Sequence, residues 1–116
     1  MQTLNMKGPY PFNEDSIDDK VFLKTQGNYA LGVIENGLFS VRYVGRSDTD
    51  LNRRLKEQIG KPYTHFMHSY PTAVVYTYEK ECMNFHDYGG TGYLDNEIHP
   101  DKPEGYHHLQ CPRCGL

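Results

Sequence analysis

Two strand-like segments on either side of an Asn-Gly turn constrain the fold of this chain more than any other feature. Residues 28–34 and 38–44 are rich in aromatic and branched aliphatic side chains, and Glu35-Asn36-Gly37 lies between them. Asparagine and glycine accept the positive φ angles of tight hairpin turns, so the pattern predicts a β-hairpin. The rest of the fold is predicted around this hairpin.

The alternation of side chains predicts the register of the hairpin. A three-residue loop with Gly37 in the left-handed conformation places Ile34 opposite Leu38. The same register places Tyr29 opposite Tyr43, and a shift by one residue would break the apolar face. The predicted face consists of Tyr29, Leu31, Val33, Phe39, Val41 and Tyr43.

A helix is predicted directly after the hairpin. Asp48 is a suitable N-cap, because its side chain can accept a hydrogen bond from the first helical turn. Leu51, Leu55 and Ile59 recur every four residues, as on the buried face of a helix. Arg54 adjoins this apolar stripe, so we expect it at the border of any site beneath the helix.

The second half of the chain supplies one more strand and one more helix. Residues 64–70 alternate as in a strand, and Pro71 suits the first position of a helix that continues to about residue 88. The predicted fold class is an α/β sandwich. Its small central sheet has three mainly antiparallel strands and is flanked by helices.

The chain divides into three predicted regions. Residues 1–19 contain two prolines and several acids and are predicted to be a flexible N-terminal arm. Residues 20–100 form the predicted domain, and residues 101–116 a tail that is irregular because of its prolines and glycines. We expect a cytoplasmic protein, since no apolar run is long enough to cross a membrane.

The charge distribution permits nucleic-acid binding despite a formal net charge of −3. Between residues 42 and 61 lie six basic and three acidic residues, so this window carries +3 and the remainder −6. Such a cluster is typical of a phosphate-binding surface and equally of a solvated helix face. The candidate nucleic-acid-binding residues are Arg42, Arg46, Arg53, Lys56 and Lys61.

The order of several short motifs resembles the GIY-YIG nuclease superfamily. Gly27-Asn28-Tyr29 and Tyr43-Val44-Gly45 are similar to the two tripeptides of that name, and Arg54 stands where the family has an arginine on its first helix. Glu81 is similar to the glutamate of the second helix, and Asn96 to the asparagine that completes the motif set. The resemblance covers about residues 27–100 and implies a small GIY-YIG-like endonuclease domain.

The resemblance also implies a role for each of these residues. Tyr29 is expected to act as general base on the attacking water, with Tyr43 positioning that water. Arg54 is expected to clamp the phosphate, because guanidinium is a bidentate donor that stays charged. Glu81 is expected to hold Mg²⁺ or Mn²⁺, and the arginines Arg54 and Arg46 together with the metal to lower the pKa of the phenol.

The second helix carries two glutamates, and only one of them can face the site. Residues two apart on a helix point about 200° away from each other. Glu81 is favoured over Glu79, because the residues that follow it match the family better.

Cysteines and histidines predict a second metal. Cys111 and Cys114 have the two-residue spacing of a zinc knuckle, which needs two more ligands. Cys82 and His86, one helical turn apart, are the favoured completion, so that zinc would join the tail to the second helix. The neighbouring pair His107 and His108, or no zinc at all, remain alternatives. His99 is expected to shape the site or bind phosphate.

Two other functional classes are compatible with the sequence. One is a non-catalytic module that binds nucleic acid or protein and retains the GIY-YIG fold, and the other is a zinc-ribbon adaptor. For a nuclease, DNA is the expected partner. Because 116 residues leave little room for a DNA-reading domain, we expect specificity to be low or to be supplied by a protein partner. The sequence predicts no membrane partner and does not predict an oligomeric state.

Overall fold

A computed structural model describes residues 4–116 of the chain. The central feature is a four-stranded antiparallel sheet with the strand order β1-β4-β2-β3. Its strands are β1 (Lys7–Pro11), β2 (Gly27–Glu35), β3 (Leu38–Ser47) and β4 (His65–Ser69). The helices are α1 (Glu14–Lys20), α2 (Leu51–Glu57) and α3 (Val74–Asp87), followed by a 3₁₀ turn at Gly90–Gly92.

The sheet is covered on both faces, as the predicted sandwich requires. Leu31 and Phe66 on one face pack with Leu51 and Leu55 of α2 and with Ile17 of α1. On the opposite face, an apolar cluster joins the sheet to α3 and the segment after it, through Leu4, Ala30, Val44, Phe85 and Leu94. The α/β class with flanking helices is therefore confirmed, but the predicted count of three strands is wrong.

The fourth strand comes from the predicted arm, which is folded from Lys7 onward. The strand β1 pairs with β4, and α1 buries Ile17 completely. The side chain of Asn13 caps α1 by accepting a hydrogen bond from the Ser16 N–H at 2.9 Å. Prolines indicated an irregular arm, but β1 is an edge strand, where missing N–H donors are tolerated. The domain thus begins before residue 20, and residues 1–3 of the predicted arm lie outside the described part.

The hairpin is present, but its predicted loop and register are wrong. Asn36 and Gly37 both have positive φ and form a two-residue turn that pairs Glu35 with Leu38. The register shifts by one residue beside Gly32, so that Arg42 of β3 is an extra, bulged residue.

This bulge divides the predicted apolar face between the two sides of the sheet. Across the strands, Tyr29 is paired with Gly45 rather than with Tyr43. Tyr43 is paired with Leu31 instead. Phe39 and Val41 consequently pack with the α3 side of the core, whereas Tyr43 packs with the α1 and α2 side.

The helix after the hairpin is shorter than predicted. Asp50, not Asp48, is its N-cap and accepts a hydrogen bond from the Arg53 N–H. Leu51 and Leu55 are buried as expected, but the helix ends at Glu57 and Ile59 is 42% exposed. Asp48 is not a cap because it pairs with Arg46 instead.

Candidate active site and metal centre

Tyr29 and Tyr43 lie side by side on neighbouring strands. Their ring centroids are 6.3 Å apart and the planes differ by 19°. Tyr29 is almost completely buried, whereas the Tyr43 side chain is partly exposed. Because the bulge makes the two residues diagonal neighbours, the rings stack although the residues are not paired across the strands.

Gly45 provides the space in which the Tyr29 ring lies. A Cβ atom at position 45 would overlap the Cζ and hydroxyl oxygen of Tyr29. The second glycine of the tyrosine motifs is therefore required for ring packing, independently of any catalytic role.

We expect Gly45→Ala to destabilise the protein by about 1–3 kcal/mol, because the added methyl group forces the buried Tyr29 ring to move. Urea unfolding monitored by tyrosine fluorescence measures the effect. Gly92→Ala is the matched control, since a Cβ there meets no atom within 4 Å. Equal stability of the two variants would show that the ring adapts without cost.

Arg54 reaches the same region from α2. The buried neighbour Leu55 fixes the helix against the sheet, and the Arg54 side chain remains 48% exposed. Its Nε lies 3.3 Å from a Glu57 carboxylate oxygen. An exposed ion pair of this kind contributes little to stability, so the guanidinium is available to an anionic ligand.

Glu81 projects from α3 into a buried ion pair. Arg46 Nη1 donates to Glu81 Oε1 at 2.5 Å and Arg46 Nε donates to Asp48 Oδ1 at 2.8 Å. Glu79 lines a different depression with Tyr76. The structure thus places Glu81, the favoured glutamate, in the site.

Burial dominates the ionisation of the Glu81 carboxyl. It raises the pKa of Glu81 to about 7, while Arg46 acts in the opposite direction. Asp48 and Asp101 raise the same pKa further, because their negative charges disfavour a third one. Arg46 pairs with two of these carboxyl groups, those of Glu81 and Asp48.

The two tyrosine hydroxyls are not activated by the arginines of the chain. Burial raises the pKa of Tyr29 well above its ordinary value, and Tyr43 and Glu81 add to this shift. Burial likewise raises the pKa of Tyr43. Arg54 lowers both pKa values but is outweighed. Arg54 therefore acts in the expected direction but does not by itself bring either pKa below its ordinary value, and the joint effect expected with the metal stays a prediction.

Asn96 holds the backbone of β3 rather than presenting a free amide. Its Oδ1 accepts from the Val44 N–H at 3.0 Å and its Nδ2 donates to the Val44 carbonyl at 2.8 Å. Asn96 uses its amide oxygen and one of its two N–H groups in these bonds, and its predicted catalytic role stays a prediction. It fixes the strand between Tyr43 and Gly45.

These side chains surround a single cleft of about 240 Å³. All five residues predicted as catalytic line it, and they come from β2, β3, α2, α3 and the segment after the 3₁₀ turn. The cleft is lined by Tyr29, Tyr43, Gly45, Arg46, Asp48, Arg54, Glu81, Asn96, Ile98, His99, Pro100 and Asp101.

Most of the predicted nucleic-acid-binding residues have acidic partners. Arg42 pairs with Glu35, and Lys56 Nζ lies 2.5 Å from an Asp18 oxygen. Arg53 pairs with Glu57 at 3.6 Å. Arg46 is buried within the cleft, so it does not belong to a surface track. Lys61 Nζ lies 5.1 Å from the centroid of the Tyr43 ring and lines a separate depression with Tyr63.

A group of four ligand atoms lies beside the cleft. Side-chain atoms of His86, His99, Cys111 and Cys114 are all within 4.8 Å of one another, so this His₂Cys₂ group can hold a metal ion. The predicted ligand set is wrong in one member, since His99 replaces Cys82. The Cys82 side chain is fully buried and packs with Tyr78 and Cys111.

No protein-family model, curated protein or solved structure matches the chain. Within residues 4–116, no helix is both long enough and apolar enough to cross a membrane. The case for a function therefore depends on the chemistry of the cleft and of the His₂Cys₂ group.

The sequence predicted that His99 shapes the site or binds phosphate, but not that it belongs to the His₂Cys₂ group. It indicated no site role for Asp48 or Asp101, which line the cleft. A histidine next to a proline, with a Cys-x-x-Cys downstream, was a signal for His99. For Asp101 there was none, since its position depends on an irregular segment.

Proposed function

We propose that this protein is a metal-dependent endonuclease of the GIY-YIG type that hydrolyses phosphodiester bonds of DNA. The observation that supports the proposal is the convergence of Tyr29, Tyr43, Arg54 and Glu81 on one cleft. A tyrosine pair, a guanidinium and a buried carboxylate together provide a base, an anion clamp and a metal ligand.

In the proposed mechanism, Arg54 binds the non-bridging oxygens of the scissile phosphate. Tyr29, once ionised to the phenolate, accepts a proton from the attacking water, which Tyr43 orients from the neighbouring strand. As the new phosphorus–oxygen bond forms, the bond to the leaving oxygen breaks, and that oxygen takes a proton from solvent. Asn96 keeps β3, and with it Tyr43, in position through its two bonds to Val44.

Glu81 is the residue that would hold Mg²⁺ or Mn²⁺. One carboxylate suits Mg²⁺, which keeps several waters and binds substrate phosphate as well. When bound, the ion supplies positive charge that neutralises the phosphate and lowers the pKa values of neighbouring hydroxyls. That contribution is needed, because Arg54 alone leaves the pKa of Tyr29 raised. In the metal-free chain Arg46 neutralises Glu81, and its bond to Asp48 gives it a second partner.

The proposal includes zinc as the ion of the His₂Cys₂ group. Two thiolates and two imidazoles in a tetrahedral arrangement are a common structural zinc set. The four ligand atoms in this group are close enough to share one ion.

The direct test is a cleavage assay with purified protein and Mg²⁺ or Mn²⁺ on single-stranded, branched and duplex DNA. We expect metal-dependent cutting that Tyr29→Phe and Glu81→Ala both abolish. No cutting of any of the three substrates, with both variants indistinguishable from the wild type, would reject the proposal.

A second candidate is a non-catalytic module that binds nucleic acid. The ion pair between Arg46 and Glu81 favours it, because the proposed metal ligand is already neutralised. DNA binding that weakens steeply with salt, without cutting in any divalent metal, would select this candidate.

A further inference from the structure

The His₂Cys₂ group joins three parts of the chain that are far apart in sequence. His86 comes from α3, His99 from the segment after the 3₁₀ turn, and Cys111 and Cys114 from the tail. His99 also lines the cleft. We infer that zinc in this group builds one wall of the cleft, in addition to attaching the tail. The inference rests on the proposed zinc ion and the proposed nuclease cleft.

The two histidines present nitrogen lone pairs to the group. The Nδ1 of His99 lies 3.0 Å from the Pro100 carbonyl and donates to it, which leaves the Nε2 lone pair free. That Nε2 atom lies 3.4 Å from the Cys114 sulfur. The Nε2 atom of His86 is buried and has no hydrogen-bond partner within residues 4–116. A backbone carbonyl that fixes the tautomer is the usual support of a zinc-binding histidine.

The two cysteines lie in a preformed turn. The Cys111 N–H donates to the Leu116 carbonyl at 2.8 Å, and the Gly115 N–H donates to the Cys111 carbonyl at 2.9 Å. Arg113 anchors the turn to α3 through two bonds to Asp87, at 2.9 and 3.0 Å. The Arg113 N–H also donates to the Cys111 sulfur at 3.4 Å.

The wall is a segment of irregular backbone whose His99 ring lies 5.5 Å from the Phe85 ring. Ile98, His99, Pro100 and Asp101 line the cleft, and this stretch contains neither helix nor strand. Asn96 fastens its beginning to β3, and His99 is the next anchored side chain. Asp101, which acts on the Glu81 carboxyl, follows directly. Zinc at His99 thus fixes the segment that places Asp101 in the cleft.

The test uses the full chain and needs no DNA. Zinc content is measured by native mass spectrometry, and backbone order by amide hydrogen exchange before and after chelation with EDTA. We expect one zinc ion per chain and, on its removal, exchange at residues 97–101 that is roughly tenfold faster or more, because local opening is no longer opposed. Exchange in β2 and β4 should stay unchanged.

Variants assign the ligands. His99→Ala and Cys114→Ser are each expected to lower zinc affinity by roughly 100-fold or more. A residue that binds the metal directly contributes at least as much to affinity as a residue that only orients a metal ligand. Cys82→Ala and His107→Ala are matched controls that keep the zinc, since Cys82 is a core residue and His107 is exposed.

Each of the remaining outcomes would contradict one specific part of the proposal. Absence of zinc, another metal in its place, or zinc retained by His99→Ala but lost by Cys82→Ala would overturn the assigned site. Zinc binding with unchanged exchange at residues 97–101 would overturn its role in the wall. If both results are as expected but DNA is not cut, only the proposed nuclease function fails.

Discussion

Arg54→Ala is expected to slow metal-dependent DNA cleavage by about 10²–10³-fold, the usual loss when one donor to a developing anion is removed. Arg54 lines the cleft from the helix α2, and an exposed pair with Glu57 is the only ion pair of its side chain within the described residues. No other lining residue except the buried Arg46 is a guanidinium or ammonium within the described chain. Arg54 is thus the cation that can bind a phosphate without breaking an ion pair with a buried carboxylate.

The adjacent Arg53→Ala provides a matched control for this experiment. Arg53 precedes Arg54 on the same helix, pairs with the same Glu57 and is 79% exposed. Residues one apart point about 100° away from each other, so Arg53 does not line the cleft. Both variants remove one positive charge, but we expect Arg53→Ala to retain nearly full single-turnover cleavage. Equal losses of cleavage rate in the two variants would mean that cleavage depends on the total positive charge of α2. A specific contact between Arg54 and the phosphate would then not be needed.

The stability of the protein is expected to fall by up to about 3 kcal/mol between pH 4.5 and pH 7, in a part of the profile that Glu81→Gln removes. The pKa of Glu81 is about 7 in the folded chain and 4.5 is its ordinary value. Between these values the folded state binds a proton that the unfolded state has released. Raising the pH through this window therefore favours unfolding.

Urea unfolding of wild type and Glu81→Gln at several pH values measures this effect. The variant keeps the Arg46 bond to Asp48, so the buried guanidinium is not left without a partner. Because other titrating groups are common to both proteins, the difference between the two profiles isolates Glu81. We expect Glu81→Gln to gain stability relative to wild type as the pH rises towards 8. A constant difference would mean that Arg46 keeps the carboxylate charged throughout.

Unfolding at several pH values also tests why a carboxyl group that lowers stability at neutral pH lies at position 81. When burial raises the pKa of a carboxyl group, that group lowers the stability of the folded protein at neutral pH. Such groups are concentrated at functional sites. If Mn²⁺ restores stability to the wild type at pH 8 but not to Glu81→Gln, the carboxyl is the metal ligand.

Local signals in the sequence predicted most elements that build the cleft. The Asn-Gly turn predicted the hairpin, and the spacing of Leu51 and Leu55 predicted the buried face of α2. Helical geometry predicted that only one of Glu79 and Glu81 faces the site, and the resemblance favoured Glu81, which lines the cleft. Each signal depends on a few neighbouring residues, which is why a single sequence is sufficient for it.

Long-range packing decided what the sequence did not predict. The bulge at Arg42 accompanies close contact between Gly32 and Ser40, where a Cβ would overlap the backbone. β1 contains prolines and forms because β4 offers an edge to pair with. The choice of His99 over Cys82 depends on how an irregular segment returns to α3. None of these contacts leaves a periodic pattern in the sequence.

The two hydrogen bonds between Asn96 and the Val44 backbone also affect whether molecules of this protein associate with each other. β3 is at the edge of the sheet, and its outward backbone groups would otherwise be open to a strand from another molecule. Asn96 occupies both groups of Val44, and the Asp95 N–H donates to the Arg42 carbonyl at 2.6 Å. The segment that leads into the cleft thus also protects this stretch of the edge against intermolecular β-pairing and aggregation.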